Sequence, residues 1–206
     1  LLDEVDQWSR GEYTDANNQE DDVAIIGGGA NGFGFKDDDY ADAFDAGGGV
    51  DVGLLAATGE NQVGATGLIS RSVDVDVFRF SAIYTGDITL TVSPLDVQST
   101  DSQPGSSTQG ANLAVQIRLL DENGALIATG VDTGAVELAS EVQAYVEAGI
   151  YYLEVQGAGR GSSGIDGFTG YASLGEYTVV GALPTPPLAV FGGGKTEHAV
   201  LLGDTS

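Results

Sequence analysis

The stretch Asp74–Phe80, which indicates the fold of this chain, reads Asp-Val-Asp-Val-Phe-Arg-Phe. Side chains two residues apart lie on the same face of a strand, so the two aspartates and the two phenylalanines share one face. A two-residue alternation returns at Asp87–Val92 and at Leu113–Leu119. Such alternation is typical of half-buried strands.

Turn signals and further strand patterns extend this picture along the chain. Asp121–Gly124 ends in Asn-Gly, the strongest short signal for a β-hairpin, and Leu126–Ala128 is the expected return strand. Two more strands are predicted at Tyr151–Val155 and Glu176–Val180. Several short strands separated by Gly, Asn, Asp and Ser predict an all-β protein built as an antiparallel β-sandwich.

One segment of the body fits two structures. Val136–Val146 is compatible with an amphipathic helix closed by Gly149, and also with two short strands, since periodicity alone does not separate them. Two stretches rich in small and polar residues, Gln98–Gly110 and Gly157–Gly170, are predicted to be long surface loops.

Composition limits what the chain can bind. Its 206 residues (21.0 kDa) are enough for one domain, with or without tails. With 7 Lys+Arg against 31 Asp+Glu, the net charge is −24, which excludes a nucleic-acid binder and a protein of anionic membrane surfaces. The chain has no run of about 18 apolar residues, so membrane insertion is not expected. Its 42% hydrophobic content argues against a disordered acidic chain.

Two residue types are missing. Without Cys there can be no disulfide, no thiolate metal site and no thiol nucleophile. Met is also absent, and Leu1–Glu4 has neither the basic nor the apolar region of a signal peptide. We therefore expect a processed or internal piece of a longer protein. The acidic, Gly-rich, Cys-free composition predicts a secreted, extracellular or cell-surface location, where the charge maintains solubility in salty water.

The chain divides into four zones. Residues 1–36 are polar and then Gly-rich, and residues 37–49 form an acidic linker. Residues 50–182 form the globular body. Residues 183–206 begin with the Pro-rich linker Leu183–Pro187 and continue as an apolar stretch that is expected to start a further module.

The body resembles the bacterial pre-peptidase C-terminal domain family over about residues 38–182. The resemblance implies a jelly-roll-like β-sandwich appended to secreted peptidases, with the collagen-binding domains of clostridial collagenases as relatives. It also favours strands over a helix in the segment 136–146. The stretches that carry it are Asp74–Phe78, Leu90–Pro94, Asn112-Leu113, Leu120–Gly124, Ala148–Leu153 and Gly170–Thr178.

The zone before the body carries a second resemblance. It is similar to the end of a reprolysin-like zinc metallopeptidase region, which leads into a sandwich module in such proteins. The resemblance implies that the zinc-binding His-Glu-x-x-His helix lies upstream. This chain has a single histidine, His198, and cannot supply that motif, so we expect no zinc site and no enzyme here. The matching stretches are Gln7–Tyr13, Ala16–Asn18, Gln19–Ile26 and Asn31–Phe35.

Carboxylate density is the best chemical signal. Calcium takes six to eight oxygen ligands and favours carboxylates, and a bound ion would offset the repulsion among them. The resemblance implies that an acidic linker and a strand-borne Asp pair share calcium. The alternative is a solvated linker, with the Asp pair satisfied by backbone N–H groups. The positions that match are Asp38, Asp39, Asp74 and Asp76, with Asp37 and Asp42 as possible additions from a run that ends at Asp45.

Other chemistry is weakly supported. The loop Gly27–Gly32 lacks the Lys-Ser/Thr of a phosphate-binding loop. The only histidine, His198, lies in the tail beyond the Pro-rich linker, which argues against a Ser-His-Asp triad. Nothing singles out a carboxylate pair of the kind that glycosidases use. Exposed tyrosines on strands could form an aromatic platform for a polymer, with Tyr152 and Tyr171 as the candidate ligand-binding residues. The alternative is that tyrosines such as Tyr151 and Tyr177 belong to the core.

These observations predict a non-catalytic extracellular accessory module that binds, targets or spaces, stabilised by calcium. Its partner would be an extracellular protein or polysaccharide polymer, or copies of itself. One alternative is a structural subunit of an extracellular filament or surface assembly, which would self-associate through an edge strand or the tails. Another is a cleaved C-terminal fragment of the enzyme itself.

Overall fold

The computed structural model describes residue 15 and residues 19–28, 34–44, 52–95, 111–132, 138–161 and 169–186. The expected further module, His198, Asp45, the loop 98–110 and residues 162–168 of the loop 157–170 therefore lie outside the described residues. A short helix, α1, spans Asp22–Gly27. Asp21 is its N-cap, and the Asp21 side chain accepts a hydrogen bond from the Ala24 N–H. No helix among the described residues is long and apolar enough to cross a membrane.

Eleven strands make up almost all of the described regular structure. In chain order they are β1 Gly53–Leu54, β2 Ala56–Gly59, β3 Gln62–Ile69, β4 Val75–Ala82, β5 Gly86–Pro94, β6 Val115–Leu120, β7 Leu126–Thr129, β8 Val131–Asp132, β9 Ser140–Val146, β10 Gly149–Gly157 and β11 Gly175–Ala182.

The strands form two sheets packed face to face. The first sheet has the order β1-β4-β10-β6-β7, and the second has the order β2-β3-β11-β5-β9-β8. All pairings are antiparallel except that of β1 with β4. The prediction of an all-β, antiparallel β-sandwich is confirmed.

The core lies between the sheets and follows the two-residue period of the strands. Phe78 of β4 and Leu153 of β10 face inward from the first sheet, and Leu90 of β5 does so from the second; none of the three is exposed to solvent. The Phe78 and Tyr177 rings meet edge to face across the sandwich, with centroids 6.3 Å apart. Each such buried side chain stabilises the fold by about 1.5–3 kcal/mol relative to exposure.

The ambiguous segment 136–146 contains a strand. Its described part forms β9, which pairs with β5 on one side and β8 on the other. Ser140, Val142 and Val146 are buried, while Gln143 and Tyr145 are exposed, which is the period of a strand rather than of a helix. The helical interpretation is wrong, and the preference for strands implied by the resemblance is correct.

Strand β3 was not predicted, because its glycines resemble loop signals. Gly67 lies beneath the Tyr177 side chain, and a Cβ there would come within 2.3 Å of the Tyr177 hydroxyl. A Cβ on Gly64 would lie 3.0 Å from the Val179 carbonyl oxygen. Close approach to β11 therefore requires the glycines, and they do not mark a break in the strand.

Ser173, in the segment before β11, is hydrogen-bonded to Ala114, the residue before β6. Its buried Oγ accepts a hydrogen bond from the Ala114 N–H at 2.9 Å and donates one to the Ala114 carbonyl at 3.1 Å. One hydroxyl thus satisfies both backbone groups of a residue that is itself fully buried.

Replacement of this hydroxyl should destabilise the fold. In Ser173→Ala the Ala114 N–H loses its partner while it remains buried, whereas the Ala114 C=O keeps the hydrogen bond from the Ala158 N–H at 2.8 Å. The free energy of unfolding should therefore fall by about 1–3 kcal/mol in urea denaturation. The control Ser81→Ala, at an exposed position of β4, should change it by less than about 0.5 kcal/mol. Equal effects of the two substitutions would contradict this role for Ser173.

Candidate metal centre

The acidic linker lies against the sandwich through two aromatic side chains. We call its described part, residues 37–44, the acidic strap. The Tyr40 ring packs on Phe78 with centroids 4.7 Å apart, and the Tyr40 hydroxyl donates to the Thr66 carbonyl at 3.0 Å. The Phe44 ring packs edge-on against Tyr152 at 4.6 Å. The strap is therefore fixed at its middle and at its C-terminal end, and its aspartates lie close to the sandwich.

The strap and the start of β4 bring five carboxylates together. Three of them, Asp38, Asp39 and Asp42, come from the strap, and Asp74 and Asp76 come from β4 and the residue before it. Their oxygens fall into two groups, in each of which the atoms lie within 4.8 Å of one another. The groups are Asp38, Asp42 and Asp74, and Asp38, Asp39 and Asp76.

The sandwich holds one oxygen of each strand-borne carboxylate. The Ser70 N–H donates to Asp74 Oδ2, and the Tyr177 hydroxyl donates to Asp76 Oδ2. The Val75 N–H donates to Asp42 Oδ1 of the strap at 3.1 Å. These bonds fix the orientation of the carboxylates while leaving the other oxygens open to a further ligand.

The second oxygen of each strand-borne carboxylate gives the strongest support for a bound cation. Asp76 is completely buried and Asp74 nearly so, yet Asp74 Oδ1 and Asp76 Oδ1 have no hydrogen-bond partner. The Ser70 hydroxyl is likewise buried without a partner. Backbone donation reaches one oxygen of Asp74 and neither of Asp76, so it satisfies only part of the Asp pair. Unpaired buried charge is costly, which favours a bound cation.

The electrostatics point the same way. Burial raises the pKa of Asp76 to about 8, against the lowering effect of the Tyr177 hydrogen bond, with nearby Asp39 and Asp74 raising it further. Burial also raises the pKa of Asp74 and of Asp39, and the neighbouring carboxylates add to both shifts. The pKa of Tyr177 is raised by burial and then by the charge of Asp76. A cation would relieve this mutual destabilisation.

The donor set fits calcium. Hard oxygen ligands without nitrogen or sulfur suit Ca²⁺ or Mg²⁺, and calcium tolerates irregular sets of six to eight oxygens drawn from separate segments. The structure brings together the four expected residues, Asp38, Asp39, Asp74 and Asp76, and adds Asp42, which was a possible member. Asp37 belongs to neither group.

Sequence reasoning missed the residues that support these carboxylates. Gly67 and Ser70 support Asp74 and Asp76 from the end of β3 and the turn after it, and Tyr177 does so from β11. Ser70 is only four residues from Asp74, whereas Tyr177 is 101 residues from Asp76. A partial signal existed for Tyr177, since a buried tyrosine needs a polar partner for its hydroxyl.

The expectation of an aromatic platform needs correction. Tyr152 is only 9% exposed and lies beneath Phe44, against Val77 and Leu120, so it belongs to a second apolar cluster. Its ring is not available as an exposed binding surface, because the strap covers it. Tyr151 and Tyr177 are buried, as the core alternative has it.

Tyr171 serves a different purpose. Its hydroxyl donates to Asp21 Oδ1 at 2.8 Å and accepts from the Val23 N–H at 3.0 Å. Asp21 and Val23 belong to the start of α1, so Tyr171 attaches the helix to the loop that precedes β11. The hydroxyl of Tyr171 is therefore engaged within the molecule, and the residue is partly buried.

Comparisons with known proteins return only distant structural likenesses. No protein-family model and no curated protein matches the chain. The pre-peptidase C-terminal domain of a collagenase from Bacillus anthracis matches with 18% identity and a TM-score of 0.39, covering 63% of this chain and 93% of that one. The Yersinia pseudotuberculosis-derived mitogen (10% identity, TM-score 0.37) covers 64% and 92%. A periplasmic inhibitor of g-type lysozyme from Aeromonas hydrophila (12%, 0.32) covers 64% and 96%. At these values no family is assigned.

The metal-free protein should lose stability as the pH rises. The pKa of Asp76 is higher in the folded state than in the unfolded chain, so folding takes up a proton, and this contribution is lost as the pH rises towards about 8. Between about pH 5 and pH 8, urea denaturation in EGTA should show the free energy of unfolding falling by up to about 1.4 kcal/mol per pH unit. Asp74 and Asp39, also raised, act in the same direction.

Asp76→Asn provides the check on this prediction. The amide keeps the shape of the side chain but cannot titrate, so the slope should become shallower. A wild-type stability that rises over this pH range in EGTA would contradict the assignment.

Proposed function

We propose that this chain is a non-catalytic, calcium-stabilised β-sandwich module of a secreted metallopeptidase-like protein. It would act outside the cell by binding an extracellular protein or polysaccharide and so targeting or spacing the parent protein. The observation that carries the proposal is the pair of buried, unpartnered oxygens of Asp74 and Asp76, two residues whose carboxylates lie within 4.8 Å of carboxylates of the strap.

Calcium would hold the strap to the sandwich. Asp38, Asp39 and Asp42 would contribute ligands from the strap, and Asp74 and Asp76 from the strand. The ion would neutralise carboxylates that otherwise repel one another, and it would join two segments that are distant in sequence. A ligand that binds only the folded protein stabilises it by mass action.

The way in which the buried carboxylates are held supports a non-catalytic, accessory role. The buried ones are held by hydrogen bonds from Ser70 and Tyr177, in an arrangement suited to a structural ion. The likeness of residues 7–35 to the end of a metallopeptidase region supports a peptidase as the parent, with its zinc motif upstream. Of residues 7–35, the structure describes only 15, 19–28 and 34–35, so this part rests on the sequence.

An extracellular site of action is supported by composition. The free calcium concentration outside cells is millimolar, so even a site of modest affinity would be filled there. A charge of −24 and the absence of Cys suit a salty, oxidising medium.

Thermal melting tests the metal centre. The Tm of the wild-type protein should rise markedly from EGTA to millimolar CaCl₂, and less in MgCl₂. Asp76→Asn should lose most of that rise and, at pH 8 in EGTA, should be more stable than the wild type, because it removes an unpaired buried charge. The control Asp87→Asn alters an exposed carboxylate of β5 outside the cluster and should respond to calcium as the wild type does.

Two results would overturn the metal proposal. One is a Tm that does not change with calcium at millimolar concentrations. The other is an equal calcium response in Asp76→Asn and Asp87→Asn, which would place the bound ions elsewhere on the acidic surface.

The binding role has its own test. The calcium-loaded protein should co-sediment with at least one of three insoluble extracellular polymers: fibrillar collagen, chitin and cellulose. Bovine serum albumin, tested in place of the protein, is the control that should stay in the supernatant. Saturable binding with a Kd in the micromolar range is expected. Absence from all three pellets would contradict the binding role and leave the calcium centre intact.

A further inference from the structure

Among the described residues, one side of the sandwich ends in an edge to which no further strand is paired. β7 is the last strand of the first sheet and β8 is the last strand of the second. The two are joined through Gly130, whose N–H donates to the Ile117 carbonyl at 2.8 Å. A single segment, residues 126–132, therefore borders both sheets; we call it the β7–β8 edge.

This edge is apolar and exposed. Leu126 is 53% exposed, Ile127 40% and Val131 68%. Unpaired backbone groups on an edge strand can accept another strand, and soluble proteins usually protect such edges with charges, proline or a covering segment. The one charged residue of the edge is Asp132, whose carboxylate pairs with the Arg160 guanidinium at 2.8 Å. From Asn123 to Val131 the sequence has neither a charged residue nor a proline, although 31 acidic residues occur in the chain.

A bulge adds to the apolar surface. The pairing of β6 with β7 passes from Leu119–Ala128 to Leu120–Leu126, so Ile127 is an extra residue in β7. Leu126 and Ile127 are adjacent and both exposed, whereas regular alternation would direct one of them towards the core. The bulge thus places two large apolar side chains side by side at the surface.

The opposite side of the sandwich is a weaker candidate. β1 and β2 border the two sheets there, and residues 53–59 are also uncharged. However, β1 has only two residues, and Leu54 is the one large apolar residue exposed on those two strands. The strap residue Tyr40 also lies over Gly53.

We propose that the β7–β8 edge is a self-association surface, occupied in solution by the same edge of a second copy of this chain. Two copies with a net charge of −24 each repel one another over most of their surface. Contact along residues 123–131 brings no carboxylate of one copy directly against a carboxylate of the other within this stretch. A basic partner would be attracted to the acidic remainder of the surface, whereas a neutral edge suits another neutral edge.

Association through one surface shared by both copies is two-fold symmetric and stops at the dimer. Leu126, Ile127 and Val131 of each copy would be removed from water together. The strap residue Phe44 lies against Gly124, in the turn before the edge, whereas neither carboxylate group of the proposed calcium centre includes a residue of the β7–β8 edge.

Sedimentation velocity in EGTA and about 0.5 M NaCl tests this inference, since such salt shortens the Debye length to a few ångströms and suppresses the mutual repulsion. The wild type should pass from monomer to dimer as its concentration rises through the micromolar range. Ile127→Glu should weaken dimerisation by tenfold or more. The matched control Ala57→Glu adds the same charge on exposed β2 and should dimerise as the wild type does.

Folding is checked by circular dichroism and by Tm. If Ile127→Glu does not fold, Thr129→Glu, at another exposed position of β7, replaces it with the same expected result. Three outcomes overturn the inference: a wild type that remains monomeric up to about 0.5 mM, an equal loss of dimer in Ala57→Glu, or growth into species larger than the dimer. The last would indicate that both edges take part, as in a filament.

Discussion

Burial of the Asp76 carboxylate is the constraint around which the rest of the site is arranged. A charged group with no solvent exposure must be paired, protonated or bound to a cation. Tyr177 pairs one of its oxygens, and Gly67 leaves room for that hydroxyl. The second oxygen has no hydrogen-bond partner. Strand β4 carries Asp76 on the same face as Phe78 and Phe80. This buried aspartate accounts for the position of the strap, for the absence of a side chain at Gly67 and for the raised pKa of Asp76.

The strap is held by apolar contacts as well as by charge. Tyr40 and Phe44 lie on either side of Asp42, and their rings pack on Phe78 and Tyr152. Without these rings, a chain segment bearing several carboxylates would be driven away from Asp74 and Asp76 by repulsion. Burial of the two rings offsets part of this repulsion, so the acidic groups can be kept together before any cation binds.

The fold was largely predictable because its central strands follow simple patterns. Asp74–Phe80 and Asp87–Val92 alternate clearly, and Asn123-Gly124 marks a hairpin. β3 was not predictable, since Gly64 and Gly67 are needed for close packing against β11, which is visible only when the partner strand is known. The aspartates of the centre were predicted from their density and from a resemblance. The residues that support them were not predicted. Tyr177 reaches Asp76 only through the fold, and the bond from Ser70 depends on the conformation of the turn before β4. The packing of Phe44 over Tyr152 likewise has no local signal in the sequence.

The hydrogen bond between Tyr177 and Asp76 joins residues 101 positions apart, and Tyr177 lies in the final strand of the sandwich. During synthesis, β3 and β4 are therefore made long before β11 can pair with β3 and before Tyr177 can reach Asp76. Folds with such distant pairings form slowly and leave strands unpaired for longer. In a nascent chain the clustered aspartates repel one another and other chains, so the charges that destabilise the finished centre protect the unfinished one from aggregation. The acidic centre thus comes into existence as the last strand docks, which makes it a marker of completed folding.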